Sequence, residues 1–360
     1  MTLDLAVVGG GPAGLAVAIH AARRGFDTAV FERSASVPDK ACGEGLMPSG
    51  LRELTALGAV ERIPPESKAP FFGVRYLQED GRSVEARFAS GPGLGVRRTA
   101  LIEALRGLAI DAGADLRQRT VRSGETRGGS FALETDQGPV EALLAVAADG
   151  LHSPLRRGAG LEGAVAAVRR FGVRRHFELA PWTDLVEVHW AASVEAYVTP
   201  VGPRSVNVAF LWEPPPGSEA GFEALLERFP ALSERLRGAP AASTARGAGP
   251  LEQAVLARSQ GRLALAGDAA GYVDAITGQG LSLALASGAA LVGALPDDLS
   301  GDLGPALRRY DAVLRKRWLR YAIPARALLA LARRPVLRKG ALGLAGRVPA
   351  LFRTLVSAVE

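Results

Sequence analysis

Leu3-Asp4-Leu5-Ala6-Val7-Val8-Gly9-Gly10-Gly11-Pro12-Ala13-Gly14 is the stretch on which the fold turns. Leu3 to Val8 is a short apolar run with β-branched residues, the pattern of a buried parallel strand. Glycines follow at 9, 11 and 14 in the spacing G-x-G-x-x-G, and Leu15 to Ala22 then has helical character. In such a strand-turn-helix the first glycine permits the tight turn, the second lets backbone approach a pyrophosphate, and the third lets helix close on strand. The helix N-terminus offers unpaired N–H groups and a partial positive charge to phosphates. Thr28 to Phe31 gives a second strand, closed by Glu32, 18 residues after Gly14, with Arg33 next. An acidic side chain there accepts hydrogen bonds from ribose hydroxyls. Dinucleotide binding is therefore expected of Gly9, Gly11, Pro12, Ala13, Gly14, Glu32 and Arg33, with an unphosphorylated adenosine ribose favoured over NADP. This stretch leaves FAD and NAD both open, and a glycine-rich turn in an ordinary βαβ unit is the plain alternative.

Later segments narrow the choice. Ala147-Ala148-Asp149-Gly150 with Ser153 and Arg156 beyond it, Leu263 to Gly271 carrying Gly267-Asp268, and Thr277-Gly278-Gln279-Gly280 resemble motifs of the para-hydroxybenzoate hydroxylase-like flavoprotein superfamily. Within it they are more similar to geranylgeranyl reductase-like and FAD-dependent monooxygenase members. The resemblance spans residues 1 to 300 or so and implies FAD, with Asp149, Gly150, Gly267, Asp268, Gly278, Gly280 and Leu281 against it. Asp268, at the end of an apolar strand, would accept from a ribityl hydroxyl. The helix beginning near Gly280 would turn its N-terminus to the flavin pyrimidine, where partial positive charge stabilises the anionic reduced ring. The resemblance also places Arg98, which opens an amphipathic helix to Ala112, near the cofactor; a helix-capping or surface arginine is the alternative. The strand after Gly113-Ala114-Asp115 is expected to end near Val121, whose backbone would meet adenine.

Lys40-Ala41-Cys42-Gly43-Glu44-Gly45-Leu46-Met47-Pro48 holds the sole cysteine and is similar to the Cys-Gly-x-Gly stretch of geranylgeranyl reductase-like proteins. Its glycines, Gly43 among them, would let backbone approach the flavin or a substrate. Cys42 is a candidate catalytic residue that touches substrate or tunes the flavin; a packed, apolar cysteine is the alternative. Tyr197 is a second candidate, able to donate to a substrate oxygen, and His189 and Trp190 are further pocket candidates. These last two point to opposite faces of one strand, so at most one lines a cavity.

At 360 residues and 48% hydrophobic content the chain can bury a large core and divide into domains. One cysteine excludes an intrachain disulfide framework and fits a reducing cytoplasm. No signal peptide or bilayer-length apolar run is visible, and His20, His152, His176 and His189 lack metal-ligand spacing. The expected fold is α/β: a doubly wound, Rossmann-type FAD-binding domain at 1–72, 95–158 and 250–300. A mostly antiparallel β substrate domain at 73–94 and 159–249 is inserted into it, and a helical region at 301–360 follows. The insertion has β-rich runs at Phe171 to Phe177, Leu185 to Trp190, Glu195 to Val201 and Ser205 to Trp212, with a hairpin at Val74 to Phe88 joining them. Glu219 to Arg237 is expected as one helix, after a Pro/Gly-rich linker at Pro214 to Gly217.

From Arg315 to Glu360 there are eleven Lys or Arg and one acidic residue among Leu, Ala and Val, the pattern of basic amphipathic helices broken near Pro324, Pro335 and Pro349. A solvated helical layer is the plain reading; peripheral contact with a membrane is the sharper one. Nucleic acid is not an expected partner, since no recognition motif accompanies the charge. With a single dinucleotide fingerprint, NAD(P)H is expected only as a transient electron donor. The leading expectation is an FAD-dependent monooxygenase of an apolar small molecule. A reductase of isoprenoid double bonds is the nearest alternative, and a non-catalytic flavin-binding protein is another. Asp274-Ala275-Ile276 precede Thr277 where aromatic hydroxylases carry proline, and Tyr197-Val198-Thr199-Pro200 keeps only part of the prenyl-reductase strand motif. The Trp-x-Trp-x-Ile-Pro stretch of flavin halogenases is absent.

Overall fold

Side by side, in the order Leu263–Leu265, Gly138–Ala147, Leu3–Val8, Thr28–Glu32 and Asp115–Gln118, parallel strands make the centre of the first sheet. The computed structural model describes residues 2–164, 169–214, 221–347, 353, 356 and 357. Leu3–Val8 and Thr28–Glu32 are buried on both faces, which is why their sequences are nearly continuous apolar runs rather than alternating ones. Because the strands are parallel, their carboxyl ends share one rim. Gly9, Glu32, Asp149 and Asp268 all sit at that rim, although they are scattered over the chain.

Helices Pro12–Arg23, Arg98–Asp111 and Gly280–Ala294 cover this sheet. Two glycines set their spacing. A Cβ on Gly14 would lie 1.9 Å from the Gly9 carbonyl oxygen, so only glycine lets the first helix close on its strand. A Cβ on Gly288 would come within 2.8 Å of the Ala16 backbone, so the first and Gly280–Ala294 helices cross in close contact.

The second sheet runs Arg246–Ala248, Phe171–Phe177, Ser205–Trp212, Val194–Gly202, Val186–Ala191, Gly73–Gln78, Ser83–Arg87. All its pairings are antiparallel except Val186–Ala191 with Gly73–Gln78. The expected runs between 160 and 250 and the expected hairpin are all in it. Gly45–Leu46, Gly93–Val96 and Lys68–Phe71 form a small third sheet. It lies against the Val194–Gly202 strand, where a Cβ on Gly95 would overlap the Pro200 carbonyl.

Three expectations need correction. The strand expected to reach Val121 ends at Gln118, and Val121 instead opens Val121–Arg127, which pairs antiparallel with Ser130–Thr135. The break is held by Thr120 and Asp136, whose backbone and carboxylate exchange hydrogen bonds of 3.0 and 3.1 Å. The single helix expected to reach Arg237 is two short ones, Phe222–Leu226 and Pro230–Arg235. Pro230 keeps Phe229 out of the helical region and lacks the N–H to continue the first helix. Helix Gly304–Ala332 runs through Pro324 without breaking. Tyr321, Ala322, Ala325 and Leu329 are buried on either side of it, and their packing outweighs a proline penalty of about 3 kcal/mol. The helix does end before Pro335, where Pro335–Arg347 begins. Glu219, residues 215–217 and Pro349 lie outside the described residues.

Candidate functional site

A cavity of about 1120 Å³ lies between the rim of the parallel sheet, the second sheet and the C-terminal helices. Every residue expected to bind the cofactor or take part in catalysis lines it except Gly14 and Gly267. Those two serve packing: Gly267 is left-handed at φ +59°, and a Cβ there would meet the Ala13 methyl at 2.6 Å. Val121 reaches the cavity from the start of its strand rather than the end.

At the rim, the Pro12–Arg23 helix starts at Gly11 with no side-chain cap and no acidic residue in its first turn, so its N–H groups face the cavity unopposed. Arg98 reaches over Gly11. Glu32 is fixed at its strand end, accepting from the Gly10 N–H at 2.9 Å and the Ser34 N–H at 3.1 Å. On the far side Asp268 is pushed up by burial, with Arg98 and Lys40 opposing that push. The Gly280–Ala294 helix also begins on the cavity without a side-chain cap.

The Cys42 segment is held chiefly by the second sheet. Glu44 has φ +59° and is 1% exposed, a combination that persists only where neighbours over-determine it. Its backbone carbonyl accepts from the Val96 N–H at 2.9 Å and its Oε1 from the Arg98 N–H at 2.8 Å. Its Oε2 meets His176 Nε2 at 2.5 Å. Arg174 can only donate, and its Nη1 lies 3.2 Å from His176 Nδ1, so the imidazole proton belongs on Nε2, facing Glu44. Arg174 also pairs with Asp39 and donates to the Lys40 carbonyl, and Asn207 Nδ2 donates to the Cys42 carbonyl at 2.9 Å. None of these partners was identified from the sequence. Only Glu44, a charged residue between two glycines, carried a local hint.

Burial pushes the Cys42 thiol up, more than Arg98 pulls it down, so the group is a thiol rather than a ready nucleophile. Tyr272, also missed, lines the cavity close to Gly280, and burial pushes its hydroxyl well above the usual range. Tyr197 lines the cavity with its hydroxyl donating to the Ile276 carbonyl at 3.4 Å. Of the strand neighbours, Trp190 faces the cavity, while His189 pairs with Glu187 at 3.2 Å on the other face. Away from the rim the walls are apolar, with Val74, Val188 and Trp190 from the sheet and Leu328, Leu331 and Ala345 from the C-terminal helices.

A family model for the FAD binding domain matches residues 2–313. The chain belongs to that family. It is an FAD-dependent oxidoreductase, similar over most of its length to named enzymes. It is 28% identical to a digeranylgeranylglycerophospholipid reductase of Methanocella arvoryzae, over 87% of this chain and 83% of that one. It is 28% identical to a menaquinone reductase of Mycolicibacterium smegmatis, over 79% and 74%. It is 29% identical to a 2-heptyl-3-hydroxy-4(1H)-quinolone synthase of Mycobacteroides abscessus, over 86% and 85%. A flavin-dependent brominase of known structure superimposes with a TM-score of 0.84 over 99% of this chain and 94% of that one; at 15% identity the likeness is one of fold.

The residues present fit FAD. A Cβ on Gly43 or Gly150 would meet nothing within 4 Å, so the backbone leaves room for a close ligand. Glu32 and Asp268 would offer carboxylates to ribose and ribityl hydroxyls, and the uncapped helix start with Arg98 would hold the diphosphate. No helix among the described residues is long and apolar enough to cross a membrane.

Proposed function

We propose that this oxidoreductase reduces carbon–carbon double bonds in an isoprenoid or similarly long apolar chain. The carrying observation is that the cavity does not stop at the cofactor rim. It runs on between the second sheet and the C-terminal helices along Val74, Val188, Leu328 and Leu331. Pockets for single small ligands span about 300–1,000 Å³, so a volume of about 1120 Å³ suits a dinucleotide together with part of a chain. The names of two relatives, which specify an isoprenoid lipid and menaquinone, support the same substrate class.

FAD, when bound, supplies hydride chemistry. The chain's own residues supply the rest. The apolar walls exclude water from the reacting carbons. Cys42 and Tyr272 hold exchangeable protons at Sγ and Oη on the cavity lining, the proton that a saturated product requires at its second carbon. The start of the Gly280–Ala294 helix, which lines the cavity without a side-chain cap, would offer partial positive charge to a bound flavin, which is negatively charged when reduced.

Hydroxylation of an apolar ring is the second reading, favoured by the likeness to the quinolone synthase. One experiment separates them. Flavin-loaded protein is reduced without oxygen by NADH, NADPH or a chemical donor and mixed with a polyprenylated quinone or a geranylgeranyl glycerolipid. Flavin reoxidation with gain of two hydrogens in the isoprenoid chain, and not only at a quinone ring, supports the reductase. No change until oxygen is admitted, followed by a product with one added oxygen atom, supports the hydroxylase and ends the first reading.

A further inference from the structure

The C-terminal helices that wall the cavity present a different face outward. Successive helical residues are turned by about 100°, so Leu319, Ile323 and Ala330 fall along one line of the Gly304–Ala332 helix. Arg315 and Arg326 lie on one flank of that line and Lys316 and Arg320 on the other, all exposed. Ile323 is 65% exposed, and in the next helix Val336 is 83% and Leu337 53% exposed. Arg338 fixes that outward orientation: it is buried, donates to Gln78 Oε1 and to the Ala191 carbonyl at 3.2 Å each, and lies over the Trp190 ring. Arg315, Lys316, Arg320 and Arg334 form no ion pair among the described residues, so their charge is available to an outside partner.

Scattered apolar side chains on a surface are ordinary. A ridge of them between rows of cations is the pattern of a helix lying in a membrane interface, with the apolar line in the acyl boundary and the cations among anionic headgroups. Ala327, one helical turn beyond Ile323, is exposed and lines the cavity, so the cavity reaches the helix face next to the ridge.

We propose that this ridge seats the protein on an anionic bilayer, and that the substrate's apolar chain passes from the lipid into the cavity beside Ala327. The entry route rests on the double-bond reductase reading; the docking rests on the ridge alone. Flavin-loaded protein is sedimented with vesicles of phosphatidylcholine, or of phosphatidylcholine with phosphatidylglycerol, and the flavin in the pellet is measured. Protein should pellet with the anionic vesicles and be released by high salt. A triple variant, Ile323→Asp, Val336→Asp and Leu337→Asp, should partition about tenfold more weakly. Lys316→Gln with Arg320→Gln, on exposed side chains, should remove much of the salt-sensitive part. Both variants should keep their flavin and their turnover of a detergent-dissolved substrate. Equal pelleting with neutral and anionic vesicles, or unchanged partition in both variants, overturns the docking. So does a dimer in size-exclusion that the triple variant dissociates, since a second copy would then cover the ridge. Vesicle binding without any lipid reduction would sink the reductase reading and leave the docking standing.

Discussion

Glu44 and His176, 132 positions apart in the chain, meet at 2.5 Å with both side chains buried. Through this pair the segment that carries Cys42 is tied to the Phe171–Phe177 strand. His176→Ala should leave the Glu44 carboxylate without its partner, destabilise the protein by about 1–3 kcal/mol, and loosen the segment. Because Cys42 is the sole cysteine, its rate of modification by a thiol reagent reads that loosening directly. A lower melting temperature with an unchanged thiol rate would show that the segment is held by Arg174 and Asn207 without Glu44.

Gly14→Ala places a methyl 1.9 Å from the Gly9 carbonyl oxygen, a contact with backbone that cannot rotate away. A loss of about 1–3 kcal/mol is expected from such overpacking, with colourless protein after purification. Gly43→Ala meets nothing within 4 Å and should fold normally while weakening flavin affinity. Unfolding curves and the ratio of flavin to protein absorbance distinguish the two.

Asp274 pairs with Arg170 at 2.9 Å, yet burial, with help from Glu195, raises its pKa from 3.8 to about 6. The folded state therefore holds a proton that the unfolded state has lost between these values, and the contribution of this group to stability falls as pH rises from about 4 to about 6. In Asp274→Asn the group is removed. The melting temperature of the variant relative to the parent should then climb across that window and level off above it. A difference that stays flat with pH would show that Asp274 ionises normally in the fold.

Tyr272→Phe should lower kcat by about a hundredfold if its hydroxyl proton is used, the low end of the ~10²–10⁴-fold range for lost acid–base groups. Cys42→Ala should act similarly. Tyr197→Phe removes only a 3.4 Å hydrogen bond to the Ile276 carbonyl and should change kcat by no more than about threefold. Single-turnover reoxidation of the reduced enzyme by substrate is the measurement. Equal effects of the two tyrosine changes would reassign the proton.

What was legible in the sequence was what local pattern encodes. Leu3–Val8 into Gly9, Gly11 and Gly14 is a strand, turn and helix whose meaning is complete within a few residues, and the runs Phe171–Phe177 and Ser205–Trp212 were bounded to the residue. Glu32, at the end of its strand, followed from the same pattern, and Asp268, in the turn Gly267–Ala270, from the family resemblance of its Gly-Asp segment. Glu44, His176, Arg174 and Asp39 did not, because a pairing across more than a hundred residues leaves no periodicity to detect. Tyr272 looked like any aromatic residue in a loop. Pro324 misled for the converse reason: its local preference is real, but the burial of Tyr321 and Ala325 overrides it.

The attachment of residues 39–45 to the second sheet bears on how such a protein can change. The loop that carries Cys42 follows one sheet in sequence and leans on the other in space, through Asp39, Cys42 and Glu44. Exchange of the antiparallel layer between relatives would strand that loop without its supports unless both travelled together. Altered specificity should therefore arise more readily from changes at Val74, Val188 or Leu331, which touch the lining alone, than from wholesale replacement of the layer.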